Sequence, residues 1–188
     1  MKAVFPKRSL LMGSSAVLVG VLALAGCNNK ESHPDEKSAV TNSLNSNNLG
    51  AVDVSQDRDK GVITLKGNLD SDDKKAQAET LAKQAAPDYT IANEIGVRPP
   101  NADNAGAAAS NRDSAIEDNY KASLKENKAL NDQSISYSAK NGTLVLTGSV
   151  KTAAQKKEAE KLAKGIQNVQ QVVNEIEVKP GKHSTSAS

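Results

Sequence analysis

The chain has 188 residues, with 24 Lys and Arg, 22 Asp and Glu, two His and one Cys, for a formal net charge of +2 at pH 7. Setting aside Lys2, Lys7 and Arg8, which precede an apolar leader, leaves 21 basic residues against 22 acidic ones, a formal net of −1, so the excess basicity belongs to that leader. With three Tyr, one Phe and no Trp there is no stacking platform for single strands, and no nucleic-acid partner is expected.

The first element is that leader, residues 1–26. Lys2, Lys7 and Arg8 followed by the apolar stretch Leu10 to Ala25 have the charged, apolar and small-residue parts of a secretory signal. Leu24-Ala25-Gly26-Cys27 resembles the bacterial lipobox, a leucine and two small residues before a cysteine. The resemblance implies cleavage between Gly26 and Cys27, a diacylglycerol on the Cys27 thiol, and Cys27 as mature N-terminus. That covalent lipid is the only prosthetic group expected. Three plainer readings stay open. One is an uncleaved anchor, although a spanning helix wants about 20 apolar residues and this stretch is interrupted by Gly13, Ser14, Ser15 and Gly20. The others are a disulfide or redox cysteine, for which the chain holds no partner, and an ordinary cleaved signal with an incidental cysteine. Asn28 after the cysteine, where an aspartate would favour the inner membrane, points by the same resemblance to the periplasmic face of the outer membrane in a two-membrane host. In a host with one membrane the protein would face outward from it.

Beyond a tether over 27–37, expected to be disordered, the chain repeats itself. At an offset of about 81 residues, Gly61 to Pro100 lies over Gly142 to Gly181 without a gap, with about fourteen identities in forty positions. They include Gly61/Gly142, Leu65/Leu146, Gly67/Gly148, Glu79/Glu160, Asn93/Asn174 and Ile95/Ile176. Two copies of one small domain follow, over 38–100 and 112–180. An Ala-, Gly- and Asn-rich linker at 101–111 is expected to be flexible, and a tail at 181–188 to be disordered. Each copy is near the lower limit for an autonomous core, so mutual support is expected.

Within each copy the periodicity predicts the elements in turn. A helix comes first, marked in copy 2 by Ile116, Tyr120 and Leu124; its counterpart around Val40, Leu44 and Leu49 is diluted by Asn42, Asn45, Asn47 and Asn48 and expected to fray. A hairpin follows, Val52 to Gln56 with Ile63 and Leu65 around Lys60-Gly61, and Ile135 to Ala139 with Leu144 and Leu146 around Asn141-Gly142. Thr152 and Gln155 have capping-box spacing, and Ser71 with Asp72 and Asp73 opens the equivalent helix. Ala78, Leu81, Ala82 and Ala85, and likewise Ala159, Leu162, Ala163 and Ile166, form the apolar stripe. Pro87 requires the first of these helices to stop at Ala86. Alternation at Ile91, Asn93, Ile95 and Val97, and at Val172, Asn174, Ile176 and Val178, predicts a returning strand.

The predicted fold class is therefore α+β: two small units, each helix-strand-strand-helix-strand, with a three-stranded mixed sheet packed by two helices. Both copies resemble BON domains of bacterial envelope and osmotic-shock proteins. The residues that carry this are Gly142-Thr143-Leu144-Val145-Leu146-Thr147-Gly148-Ser149-Val150, the helix bearing Ala159 to Ile166, and Val169-x-x-Val172-x-Asn174-x-Ile176-x-Val178. The resemblance implies a lipid-anchored envelope protein whose domains bind phospholipid or an envelope partner and support envelope integrity or osmotic tolerance. A non-catalytic adaptor for another envelope protein, or a small-ligand or cation sensor, are the alternatives.

No enzyme is expected. His33 and His183 fall in segments read as disordered, where a base or metal ligand cannot be held. Asn93 and Asn174 share the parity of the apolar residues and are expected to satisfy a backbone group beside the core. The glycines match neither GxGxxG nor a Walker motif, so no cofactor or metal is expected. What remains is charge. Copy 1 carries −2 over 38–98 and copy 2 carries +2 over 112–180. In copy 2, Lys157, Lys161 and Lys164 fall opposite the apolar stripe with Lys156 beside them, and the resemblance offers anionic headgroups as their partner; an ordinary solvated helix face, interleaved with Glu158 and Glu160, is the competing reading.

Overall fold

A computed structural model describes residues 32–100, 102 and 104–179. The leader, Gly26, Cys27, Asn28, His183 and the tail lie outside the described residues. Among those described, no helix is long and apolar enough to cross a membrane.

Copy 1 runs α1 (Lys37–Ser46), β1 (Val52–Asp57), β2 (Val62–Leu69), α2 (Asp72–Ala85), β3 (Thr90–Asn93) and β4 (Gly96–Val97). Copy 2 repeats the order with α3 (Ala105–Glu126), β5 (Ser134–Lys140), β6 (Thr143–Val150), α4 (Ala153–Lys164), β7 (Gln171–Asn174) and β8 (Glu177–Val178). In each sheet the middle strand pairs antiparallel with its hairpin partner and parallel with the returning strand, Leu65 opposite Asn93 and Leu146 opposite Asn174. The expected third strand comes in two pieces, because β4 and β8 resume the same parallel register one step further along β2 and β6. The interruption sits beside Gly67 and Gly148, at φ 126° and 101°. A Cβ at either would run into the carbonyl oxygen of Ala51 or Ser134, which is why both copies keep glycine there.

The capping signals form as their spacing predicts. Thr152 and Gln155 make a complete capping box, and the Ser71 hydroxyl accepts from the Lys74 amide. Asn141 (φ 48°) and Gly142 (φ 83°) both take positive φ, the requirement of a two-residue primed turn. Helix α1 is formed despite its asparagines. Val40 and Leu44 are buried, and Asn48 takes φ 59° where the chain closes back, so that the Leu49 amide reaches the Leu44 carbonyl. α2 stops where Pro87 requires, with Ala86 as its cap.

One face of each sheet packs on its helices: Ile63, Leu65 and Ile91 against Val40, Leu44, Ala78 and Ala82, and Leu144, Leu146 and Ile176 against Ile116, Tyr120, Ala159 and Ala163. Val62 and Ala92 point the other way and meet Val173 and Val145 in a small apolar seam between the copies. The two copies belong to one compact unit.

Two segments differ from the sequence expectation. The linker expected at 101–111 is helical from Ala105, because α3 runs 22 residues and reaches back past the hairpin turn of its own copy. Asp113 explains this: its carboxylate, buried on α3, accepts from the Asn141 amide at 2.8 Å and the Gly142 amide at 3.0 Å. The tether expected at 27–37 is docked over its described part. The His33 amide donates to the Arg58 carbonyl at 3.0 Å and the Arg58 Nε donates back to the His33 carbonyl at 2.7 Å. The His33 ring lies 5.1 Å from that of Tyr89, whose hydroxyl donates to the Pro34 carbonyl at 2.5 Å.

Candidate functional site

The returning strands carry the first repeated arrangement. Asn93 Nδ2 donates to the Lys75 carbonyl and to Glu79 Oε2, both at 3.1 Å, while its Oδ1 accepts from the Ile95 amide. Asn174 does the same with the Lys156 carbonyl, Glu160 and the Ile176 amide. Both asparagines therefore bind helix to strand through backbone groups, filling the gap left where the strand is interrupted. They hold the core and leave no donor for a ligand.

A second arrangement joins the copies. β3 is an edge strand, and an exposed edge leaves backbone groups unpaired. Copy 2 fills them with side chains. The Gln171 amide donates to the Ile91 carbonyl at 2.7 Å and accepts from the Asn93 amide at 2.8 Å, and Thr143 Oγ1 donates to the Asn93 carbonyl at 2.5 Å. Asn141 Nδ2 donates to the Glu94 carbonyl at 2.7 Å. Its counterpart at the aligned position, Lys60, reaches Glu175 Oε2 at 2.7 Å, so the two copies meet about a pseudo-twofold relation. That hydrogen bond holds the Lys60 ammonium above the usual lysine range. Lys75, half-buried, donates to the Asn141 carbonyl at 2.8 Å and to Gln170 at 3.2 Å, and burial holds its ammonium below that range.

The sequence led to the expectation that the copies support one another but did not single out the residues that join them. A signal was present where the aligned copies differ: Thr143 in β6 stands against Val62, a hydroxyl gained, and Gln171 in β7 stands against Thr90, a longer side-chain amide that reaches β3. Asp113 had no comparable signal, since nothing in its neighbourhood marks a carboxylate that reaches a turn 28 residues further on.

The lysines of α4 separate into three kinds. Lys164 is committed to Glu160 at 2.6 Å, and this bond, with that from Asn174, holds the Glu160 carboxyl below its usual range. Lys156 is half-buried beside the same carboxylate. Lys157 and Lys161, one turn apart on the exposed face, make no ion pair among the described residues. The aligned helix α2 has Ala76 and Thr80 at those two positions, and pairs its own exposed Lys74 and Lys83 with Asp70 at 2.7 Å and Glu79 at 2.5 Å. Unpaired cationic surface on these two helices is thus a property of copy 2.

Among the described residues no group of three or more His, Cys, Asp or Glu is placed to hold a metal ion, and no buried side-chain polar atom lacks a partner. Gly26 and Cys27 lie outside the described residues, so the expected cleavage and lipid attachment rest on sequence alone.

A family model described as BON domain matches residues 35–99 and 112–180, one match for each copy. The chain is 26% identical over 132 residues to the osmotically-inducible protein Y of Escherichia coli (strain K12), a match covering 70% of this chain and 65% of that protein. The chain thus spans just under two thirds of the length of this curated relative. Among solved structures, CdsD, a structural protein of the type III secretion system of Chlamydia trachomatis, aligns at 12% identity and TM-score 0.34 over 77% of this chain and 92% of its own. The C-terminal domain of CdsD aligns at 13% identity and TM-score 0.30 over 78% of this chain and 98% of its own. At these scores the structural likeness carries no argument.

Proposed function

The chain belongs to the BON domain family, and from that premise we propose that it is a cell-envelope protein acting in osmotic stress, held to the membrane by lipid on Cys27, whose copy 2 contacts anionic phospholipid. The observation that carries the lipid contact is the pair Lys157 and Lys161, exposed, one turn apart and without an ion-pair partner among the described residues. A lysine at an anionic surface contributes about 1 kcal/mol, so two give a weak contact. A weak contact is enough for an anchored protein. Two or more acyl chains hold the chain on the membrane by themselves, and tethering then raises the local concentration of headgroup at α4. The leader and the lipobox-like Leu24-Ala25-Gly26-Cys27 support the anchor, and Asn28 supports the periplasmic face of the outer membrane where the host has two.

Co-sedimentation of the chain from Asn28 onward with vesicles tests the lipid contact. The expected result is a preference for anionic over zwitterionic vesicles at low salt that fades as salt screens it. Equal binding to both would remove the phospholipid reading and leave an adaptor for another envelope protein. Intact-mass analysis of the N-terminal peptide tests the anchor: acylated Cys27 is expected, and an unmodified thiol contradicts it.

A further inference from the structure

Asn141-Gly142 is the single Asn-Gly pair in the chain. Such a pair loses its side-chain amide most readily, because glycine has no Cβ to keep its backbone nitrogen away from the preceding side chain. Among the described residues three asparagines take positive φ, Asn48, Asn141 and Asn168, and the side chains of Leu49 and Val169 screen the nitrogens that follow the other two. Asn141 is also the residue on which the junction between the copies converges, with bonds from both of them.

Bonds from both copies hold the pair. Within copy 2, the Asp113 carboxylate accepts from the Asn141 amide at 2.8 Å and from the Gly142 amide at 3.0 Å. From copy 1, Lys75 donates to the Asn141 carbonyl at 2.8 Å, and the Glu94 carbonyl accepts from Asn141 Nδ2 at 2.7 Å. Gly142 is buried and Asn141 half-buried. Loss of the side-chain amide requires the Gly142 nitrogen to leave Asp113, give up its proton and close a five-membered ring on Asn141 Cγ. A carboxylate against that N–H disfavours the anion that must form there, and the bonds to Lys75 and Glu94 hold the carbonyl and the carboxamide in their turn positions. Part of the guard on this hairpin therefore belongs to the other copy.

We propose that Asn141 is a modification site opened by separation of the copies, and that its conversion keeps them from closing again. The Gly142 nitrogen attacks Asn141 Cγ; that bond forms, the Cγ–Nδ2 bond breaks, and the amino group leaves as ammonia with the proton from the Gly142 nitrogen. Water then opens the cyclic imide at either carbonyl, giving an aspartyl residue or an isoaspartyl one, whose backbone runs through the side-chain methylene. Both products have lost Nδ2, the donor to Glu94, and set a carboxylate against that carbonyl. The isoaspartyl product also lengthens a two-residue turn whose positive φ angles fix the register of β5 on β6. The inference rests on the hairpin and the junction alone and is independent of the lipid contact at α4.

Peptide mass analysis of the full chain, incubated at neutral pH in neutral detergent, tests the assignment. Because the open fraction sets the rate, Asn141 is expected to convert at least about tenfold more slowly in the folded chain than in guanidinium chloride. Lys75→Met and Gln171→Ala each remove a bond between the copies and leave the Asn-Gly pair itself unaltered. Either variant, once shown to be folded by circular dichroism, is expected to convert at least about threefold faster than the unaltered chain. Chain already converted at Asn141 and separated by its added charge is expected to unfold at a lower denaturant concentration. Equal rates in the folded chain and in guanidinium chloride would overturn the proposal. So would folded Lys75→Met and Gln171→Ala variants that convert no faster, or an unchanged unfolding midpoint in the converted chain.

Discussion

The two copies share a core and close their hairpins by different means. In copy 2 the turn is two residues, Asn141-Gly142, and a buried carboxylate from the preceding helix, Asp113, binds both of its amides. In copy 1 the turn is longer. Asp57 Oδ1 accepts from the Asp59 and Lys60 amides, and the His33-Pro34 segment lies across it in place of a helix. Their second helices differ in the same spirit: α2 spends its lysines on ion pairs and on the partner copy, whereas α4 leaves Lys157 and Lys161 to solvent. Duplication thus kept the core positions together with the Asn93 and Asn174 arrangement, and let others diverge, among them Val62 and Thr143, where the copies join, and Ala76 and Lys157, which face outward.

The largest effects should be shared by both copies. Leu65 and Leu146 occupy one position of the central strand and are fully buried, so Leu65→Ala and Leu146→Ala should each cost about 2–5 kcal/mol. Both should lower a single denaturant transition, since the seam and the β3 edge tie the copies together; two separate transitions would break that account. Next in size are effects confined to one hairpin. Asp113→Ala leaves two turn amides without their carboxylate and should cost about 2–3 kcal/mol by chemical denaturation, whereas His33→Ala, which removes a contact open to water, should cost well under half of that.

Smaller effects sharpen the comparison further. Burial holds the Tyr120 phenol well above its ordinary value of 10.0, with Tyr137 beside it adding to the shift. The folded state keeps that proton more tightly than the unfolded chain does. Tyr120 therefore contributes stability that is fully present below pH 10 and is lost as the pH rises beyond it. Tyr120→Phe should remove this alkaline loss, at a cost of about 1 kcal/mol at neutral pH for the bond to the Ala159 carbonyl, measured by urea unfolding across pH. The smallest change in stability belongs to Lys157→Gln and Lys161→Gln, which should stay within about 0.5 kcal/mol of wild type because both are exposed and unpaired.

The fold was legible in the sequence wherever one physical cause acts locally. Strand parity at Ile63 and Leu65, the Thr152-x-x-Gln155 box and the stop before Pro87 depend on neighbours within a turn or one strand pair, and the same parity set Asn93 and Asn174 beside the core, where each meets a helix carbonyl 18 residues away. What escaped depends on distant partners. The segment 105–111 has small residues and no apolar stripe, yet it is helical because α3 is anchored further on by Ile116 and Tyr120 and held at the turn by Asp113. His33 looked like solvated chain because nothing local holds it; Arg58 and Tyr89 do. The lysine stripe was visible as a pattern, but only the coordinates separate the committed Lys164 from the unpaired Lys157 and Lys161.

The central claim is that copy 2 faces an anionic membrane through the two lysines that copy 1 lacks. The direct test is to write the copy 1 residues into α4, as Lys157→Ala with Lys161→Thr, and to measure partition onto anionic vesicles at low salt beside the unaltered protein. At about 1 kcal/mol for each lysine, the partition coefficient should fall by roughly thirtyfold while the unfolding transition stays in place. Undiminished partition in that variant would contradict the account.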